Sequence, residues 1–348
     1  MLIKENRMKK HVRTFLWLAV AVLALAFLAY KTPWDTFEQA IRGIGWFWAL
    51  SAVVLYLVAQ TLLASRWILL LRVHGVRITL FQAVKLTYLG LFYNNFMPGA
   101  VGGDLLKGWY ITHHSEKHQR LEAAVTVFVD RLTGLVGMIL VGALAGLSAG
   151  PEVTIPIRDY PVQVRYLVWM IFLGLVLVSV MFLSRRVRHA LLLDRLLDRL
   201  PAAGVLKKID SAIRLYRSHI PTMFLALVLT GMIQGLSIVS VWMMTQALHL
   251  EQVEFLHCLT VMPIVWLISA AIPVPGGLGV MENLFVPFFI MAIDPSGSAT
   301  EVAEGQTAAL ALLNRLMICA CSLPGALVPV FGGHLPKAQE IQAGMEEE

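Results

Sequence analysis

Uninterrupted apolar runs constrain the fold of this chain more than any other feature of its sequence. Six runs are long enough to cross the hydrocarbon core of a bilayer, about 30 Å thick, as helices. These runs cover residues 14–30, 46–71, 123–149, 164–184, 222–248 and 307–331. Only 14% of the 348 residues are charged, whereas soluble globular domains carry about 25%. The sequence therefore predicts an all-α, polytopic integral membrane protein that forms a single transmembrane domain over residues 1–348.

Two further apolar regions, at about residues 80–111 and 255–293, are broken near the middle by proline and glycine. The first break reads PGAVGGD from Pro98, and the second reads PGGLGVME from Pro275. Lipid cannot satisfy the backbone groups that a break leaves unpaired, so such a segment survives only within protein or beside a water-filled cavity. We therefore expect two re-entrant or broken hairpins. Their predicted tips are Pro98, Gly99, Gly102, Gly103, Pro275, Gly276, Gly277 and Gly279.

The two breaks belong to a pattern that occurs twice. Each break is followed by an acid, Asp104 or Glu282, and then by an apolar run with an interior arginine. The arginines are Arg131 and Arg315. Broken helices at corresponding positions of two halves are typical of inverted-topology repeats, whose substrate site lies near the bilayer midplane. The sequence predicts two opposed hairpins that form an inverted repeat around one polar cavity. The repeat-like halves cover about residues 80–150 and 255–331.

Arg131 and Arg315 lie in their helices at depths where a charged side chain costs about 2.5 to 3.5 kcal/mol on insertion scales. We expect both to face the protein interior and to have anionic partners, either Glu282 and Asp104 across the interface between the halves or an anionic ligand. Asp130 points about 100° away from Arg131 on a helix, so it is not expected simply to neutralise this arginine. Two interpretations stay open: the arginines bind phosphate, or they form buried carboxylate clamps. The candidate substrate-binding or translocation residues are Asn94, Asn95, Asp104, Lys107, Asp130, Arg131, Glu282, Asn283 and Arg315.

Lysine and arginine predict the orientation, because cytoplasmic loops of membrane proteins carry more of them. They cluster in the N-terminal segment and in residues 185–220, whereas the loops at 249–254 and 294–304 carry acids and neither of the two cations. Both termini are therefore expected in the cytoplasm. Residues 185–220 alternate leucine clusters with charges, which predicts a cytoplasmic amphipathic segment on the inner membrane surface. Arg66, near the cytoplasmic end of its helix, is expected to reach the interface along the lipid.

The net charge of +6 lies at predicted membrane edges, where it suits anionic headgroups better than nucleic acid. The expected partners are membrane lipids with phosphate headgroups, and a homo-oligomer or a pathway-enzyme partner stays open. His114 and His118 are four residues apart, which suits one helical face, but no third metal ligand is marked. The three cysteines have no metal-binding spacing. We predict no metal, no cofactor and no catalytic residue, and hence no enzyme.

Four motifs carry a resemblance to a known family: NNFMPGAVGGDLLKGWYI, VFVDRLTGL, IPVPGGLGVMENLF and the late NRL. They resemble the flippase-like membrane proteins named for the transmembrane region of lysylphosphatidylglycerol synthase, which include the UPF0104-type inner-membrane proteins. The resemblance implies a bacterial inner-membrane location, an inverted repeat and translocation of amino-acylated or polyprenyl-linked lipids. Two positions depart from the family pattern: Asp130 stands where glutamate is more common, and Asn314 where an aromatic residue is common. We expect no aminoacyl transfer, because that activity belongs to a soluble domain of larger members.

The leading hypothesis is a lipid flippase that moves an anionic phospholipid, an amino-acylated lipid or a polyprenyl-phosphate-linked lipid through the central cavity. Arg131 and Arg315 would hold the phosphate, and the neighbouring acids would balance or gate them. One alternative is a membrane-embedded transferase or hydrolase with Asp104 or Glu282 as the general base. A second alternative is a non-transporting partner subunit of a lipid or glycan pathway.

Overall fold

The computed structural model describes most of the predicted membrane region. The described residues are 38, 42–96, 102–115, 119–148, 154–157, 160–163, 166, 169–170, 173–174, 215–271, 280–293 and 301–332. Three predicted segments lie wholly or mostly outside them: the helix at 14–30, the run at 164–184 and the amphipathic segment at 185–220. The tip residues that also lie outside are Pro98, Gly99, Pro275, Gly276, Gly277 and Gly279.

A long helix, two short helices and a second long helix follow one another in the first part of the described chain. Helix α1 (Trp46–Val73) has 28 residues and is therefore about 42 Å long. The short helices α2 (Leu80–Phe96) and α3 (Gly102–His114) lie on either side of the predicted first break. Helix α4 (Arg120–Ser148) is long again, with 29 residues. Helix α1 stops just before Gly75, whose φ of +76° is the left-handed conformation that favours glycine.

The same order of elements returns later in the chain. Helix α5 (Ile220–Ala247) has 28 residues, and α6 (Phe255–Ala271) has 17, as α1 and α2 do. Helices α7 (Val280–Ile293) and α8 (Glu301–Ser322) follow the second break, with 14 and 22 residues. The two series of helices, which we call the two units, are α1 to α4 and α5 to α8, and each begins one long helix before the half that the sequence motifs delimit.

The first helices of the two units, α1 and α5, pack against each other and run antiparallel. The amide of Gly45, just before α1, donates to the carbonyl of Ala247 at the end of α5 at 2.9 Å. Towards the other end of α1, Arg66 donates to Thr230, which lies early in α5. Residue numbers thus rise along one helix while they fall along the other. A core cluster around this contact draws on both units: Ala49, Ala52, Ile238, Val241, Phe285 and Leu310.

The two halves of each broken region pack together. Between α2 and α3, a Cβ atom on Gly103 would lie 2.1 Å from the carbonyl oxygen of Gly90, so only glycine allows this approach. Between α6 and α7, Nε2 of His257 donates to the carbonyl oxygen of Phe288 at 2.8 Å. Both predicted interruptions fall between described helices: α2 ends at Phe96 and α3 begins at Gly102, whereas α6 ends at Ala271 and α7 begins at Val280.

Four helices are long and apolar enough to cross a membrane: Trp46–Val73, Arg120–Ala145, Ile220–Ala247 and Gly305–Pro329. They correspond to four of the six predicted spans, and the other two lie wholly or mostly outside the described residues. The last span differs in detail, because α8 gives way to a turn at Leu323 and then to helix α9 (Pro324–Gly332). Pro324 lacks the N–H that an unbroken helix would use at this point.

The described chain is all-α as predicted, apart from one short β-hairpin outside the spans. Strand β1 (Thr154–Ile157) pairs antiparallel with strand β2 (Tyr160–Gln163), and Pro156 lies opposite Pro161. Proline lacks a backbone donor and is tolerated here because each strand of a two-stranded sheet has a free edge. The described part of the chain is otherwise helical or loop.

Candidate functional site

The first predicted acid and the first interior arginine are in contact. Asp104 lies in the first turn of α3, where a negative charge complements the positive end of the helix dipole. The Arg131 guanidinium on α4 donates from Nε to Oδ2 of Asp104. Asn94 at the end of α2 donates from Nδ2 to the other carboxylate oxygen at 3.3 Å, and its own oxygen accepts the Gly103 amide at 2.9 Å. Asn94 thereby satisfies an N-terminal amide of α3 and holds Asp104 in place.

The second acid and the second arginine form a corresponding pair. Glu282 lies in the first turn of α7, and Nε of Arg315 on α8 donates to its Oε1 at 2.5 Å. Each arginine thus has one of the two expected acids as its partner, but in its own half of the chain rather than across the interface between the halves. Whether either arginine binds phosphate stays a prediction.

The two pairs differ in exposure, which the sequence did not predict. The side chain of Arg315 is 2% exposed, whereas that of Arg131 is 47% exposed. The expectation that both arginines are interior is therefore right for Arg315 and wrong for Arg131. Arg131 is the twelfth residue of α4, roughly 16 Å from the start of the helix. A guanidinium exposed at such a depth is costly against hydrocarbon and needs water or a polar ligand beside it.

Next to the first pair lies a buried network that the sequence missed. Nε of Arg66 donates to Oδ1 of Asp130 at 3.0 Å, and Nη2 donates to the carbonyl oxygen of the same residue at 3.0 Å. Its Nη1 donates to Oγ1 of Thr230 at 2.8 Å. The expectation that Arg66 reaches the interface is wrong, since its side chain is 4% exposed. Arg66 lies seven residues before the end of α1, about 10 Å from it, and this depth was the available signal.

Lys107 joins this network from α3. Its Nζ lies 3.6 Å from Oδ2 of Asp130 and 3.9 Å from the centroid of the Trp67 ring, which is fully buried. The sequence placed Lys107 one helical turn from Asp104, yet the structure pairs it with Asp130. Trp67 is itself held by a hydrogen bond from its Nε1 to Oγ1 of Thr126 at 3.1 Å.

The remaining candidates have other surroundings. Asn95 is buried, and its Nδ2 has no hydrogen-bond partner among the described residues. Asn283 is exposed on α7. Gly102 is the first residue of α3 and is partly buried. Within the described ranges, no three His, Cys, Asp or Glu side chains are grouped so that they could hold a metal ion.

Comparison with known proteins agrees with the helical architecture and with the polar residues inside it. The family model described as the lysylphosphatidylglycerol synthase TM region matches residues 15–319. The chain belongs to this family. The matched residues include all of α1 to α7 and both arginine–carboxylate pairs.

The chain is also similar to an archaeal member of the UPF0104 proteins. It is 27% identical over 101 residues to the UPF0104 membrane protein PH1989 of Pyrococcus horikoshii. The aligned part is 29% of this chain, and the chain covers 30% of the length of that relative.

The structure gives a physical meaning to the two departures from the family pattern. The short carboxylate of Asp130 reaches both Arg66 and Lys107. In the second half, the residue before the interior arginine is Asn314, which is 1% exposed and neutral. In this family member the two halves are therefore alike in helix order but unlike in buried charge.

Proposed function

We propose that this protein is a lipid translocase of the bacterial inner membrane that binds an anionic headgroup beside Arg131. The observation that carries the proposal is the half-exposed guanidinium of Arg131, which is paired with Asp104 far inside a membrane-spanning helix. Contact between a charged guanidinium and hydrocarbon costs free energy. A cleft that admits water and headgroups would account for the exposure of Arg131.

The chemistry of the pair favours phosphate as the ligand. Arginine offers a planar set of donors that fits two phosphate oxygens at once. Asp104 now occupies part of that donor set. A phosphate that enters would compete with this carboxylate, so the Asp104–Arg131 pair would act as a gate that opens on binding. The ligand class is a phospholipid, an amino-acylated lipid or a polyprenyl-phosphate-linked lipid.

The two arginines have different roles in this proposal. Arg315 is buried against Glu282 and offers little surface to a ligand. We assign it to a clamp that joins α7 to α8, and we assign the phosphate to Arg131 alone. This narrows the earlier hypothesis, in which the two arginines were equivalent.

An inverted repeat is supported by the direction of the helices. The corresponding helices α1 and α5 are antiparallel, as they are when two like units insert with opposite topology. Each unit also places an acid in the first turn of the helix that follows its break. Rocking of one unit against the other would then expose the headgroup site to each membrane face in turn, with both termini cytoplasmic.

The test is a flip assay in proteoliposomes with fluorescent phosphatidylglycerol, in which dithionite quenches the label in the outer leaflet. We expect the parent to flip the lipid and Arg131→Ala to lose most of this activity, while Arg131→Lys retains part of it. Arg42→Ala is the matched control, because Arg42 also pairs with a carboxylate but is 77% exposed. A parent that flips no anionic lipid, or an Arg131→Ala variant as fast as the parent, would refute the proposal.

A further inference from the structure

Among the described residues, the polar cluster of the first half contains three cations and two carboxylates. Its cations are Arg66, Lys107 and Arg131, and its acids are Asp104 and Asp130. Each acid is engaged by one arginine at hydrogen-bond distance. Lys107 is left with a longer 3.6 Å contact to an oxygen of an acid that Arg66 already binds.

Lys107 is the member of this cluster whose charge can change at least cost. Guanidinium groups keep their proton at all physiological pH values. A buried lysine ammonium, by contrast, gives up its proton readily. The ring of Trp67 favours the ammonium, by about 0.5–2 kcal/mol, whereas several kcal/mol oppose the burial of a poorly paired ion. Asp130, 3.6 Å from Nζ, adds to the effect of the Trp67 ring.

The ligand that Lys107 can take directly is a proton. Its side chain is 6% exposed, and the buried Trp67 ring lies against its Nζ. A headgroup phosphate therefore finds no surface of Lys107 to bind. Arg131, which is half exposed, is where the phosphate would enter.

Asp104 would link the binding of a proton at Lys107 to the binding of phosphate at Arg131. Asp104 and Lys107 are three residues apart on α3, a spacing that brings side chains together on one helix face. When phosphate displaces Asp104 from Arg131, the freed carboxylate becomes an anion beside Lys107. That anion favours the protonated lysine, and by linkage a protonated Lys107 favours phosphate at Arg131.

The other groups around Lys107 do not supply this response. Arg66 of α1 and Asp130 of α4 form a buried ion pair with each other. Asn94, which faces Asp104 from α2, is neutral. Tyr216, which interacts electrostatically with Asp130, donates its hydroxyl to the carbonyl oxygen of Leu70.

Resting on the proposed function, we propose that Lys107 is a proton-binding residue that couples headgroup binding at Arg131 to proton uptake. The neutral amine of Lys107 takes one proton from water when the phosphate binds and returns it when the phosphate leaves. No covalent bond to the lipid forms or breaks. Headgroup and proton then cross the membrane together, so that a singly charged anionic lipid moves without net charge.

The test is calorimetric titration of the purified protein in detergent with dioctanoyl phosphatidylglycerol at pH 8. Buffers of different ionisation enthalpy report the protons taken up per lipid bound. We expect an uptake that approaches about one proton for the parent and near zero for Lys107→Arg, since arginine is already charged and still binds Asp130. Lys85→Arg on α2 is the control and should keep the parental uptake.

The outcomes separate this inference from the proposed function. A parent that binds the lipid without proton uptake overturns the coupling and leaves the translocase proposal intact. A parent that binds no anionic lipid overturns both. Uptake that persists in Lys107→Arg assigns the proton to another group, such as the freed Asp104, and overturns the role of Lys107.

A second measurement does not depend on any variant. An uncoupled anionic lipid moves one charge, so its distribution between leaflets responds to voltage by about 2.3 kcal/mol per 100 mV. If proton uptake is coupled to lipid binding, the distribution of the lipid between leaflets in vesicles with the parent should not respond to a potassium diffusion potential. It should respond to a pH gradient. A distribution that follows the voltage and ignores the pH gradient contradicts the inference.

Discussion

Nε of Arg66 lies 3.0 Å from Oδ1 of Asp130, although 64 residues separate the two in sequence. The contact ties α1 to α4, and Thr230 on α5 binds the same guanidinium, so three long helices meet at one buried arginine. Breaking a buried ion pair by removal of one partner is costly because the other charge stays buried. The network is therefore both a structural support and the electrostatic setting of Lys107.

Asp130→Asn should destabilise the protein strongly, because Arg66 and Lys107 would lose their shared anion. We expect a loss of about 3–5 kcal/mol in the free energy of unfolding. Unfolding in detergent, followed by tryptophan fluorescence, measures the change. The control is Glu38→Gln, which breaks the exposed pair with Arg42 and should cost about 0–1 kcal/mol. Equal stability of Asp130→Asn and the parent would contradict the buried network.

Gly103→Ala should force α2 and α3 apart, because its Cβ would lie 2.1 Å from the carbonyl oxygen of Gly90. The Asn94 cap and the position of Asp104 depend on this approach, so flip activity should fall together with thermal stability. Gly108→Ala on the same helix is the matched control, since a Cβ there meets nothing within 4 Å. It should be neutral or stabilising by up to about 1 kcal/mol. Similar behaviour of the two variants would exclude a close-packing role for Gly103.

Arg131→Ala and Arg315→Ala should separate activity from stability. Arg315 is almost fully buried, so its loss leaves Glu282 without its partner and should lower the unfolding free energy by about 3–5 kcal/mol. Arg131 is half exposed, and its loss should lower stability by about 1 kcal/mol or less while it abolishes headgroup binding. Melting temperature and flip rate, measured on the same preparations, test this split. The assignment of roles is wrong if Arg131→Ala is the less stable variant.

Acid should loosen the contact between the end of α1 and the turn before α5. His74 packs edge-to-face on Tyr216, with ring centroids 5.1 Å apart. Burial lowers the pKa of His74 below its ordinary value; Glu122 opposes this shift and His219 adds to it. The unfolded chain therefore binds a proton near pH 6.5 that the folded chain does not yet accept. Stability should be constant above this pH and fall as the pH drops below it.

The melting temperature of the parent between pH 8 and pH 5, compared with that of His74→Gln, measures this dependence. The difference between the two proteins should change with pH below about 6.5. Tyr216→Phe keeps the ring but loses the hydroxyl that donates to Leu70. It should therefore lower the melting temperature at every pH without changing how the melting temperature depends on pH. A parental profile that matches His74→Gln at all pH values would rule out His74 as the source.

Much of the fold could be predicted because its causes are local in sequence. A run such as 220–247 can only be a membrane helix, since its length and apolarity match the bilayer. The breaks after Phe96 and Ala271 follow from proline and glycine, which cannot continue a helix at low cost. The β-hairpin was missed because two four-residue strands inside a loop carry a weak pattern.

The candidate site was predictable in part. An arginine inside an apolar run needs an anion, and so few acids lie at membrane depth that Asp104 and Glu282 could be named as partners. Arg66 was misjudged because distance along one helix does not reveal what a second helix places beside it. Lys107 was named only as a candidate binding residue, and the packing of α3 on α4 brings it to Asp130.

The sequence by itself determined the four described membrane spans and the need of each interior arginine for an acid, because hydrophobic length and the cost of charge in lipid act on each segment separately. Only the tertiary structure decided that Arg131 is exposed and Arg315 buried, and that Arg66 and Lys107 share Asp130. Exposure and electrostatic contact depend on distances between helices far apart in the chain, and those distances are set by packing.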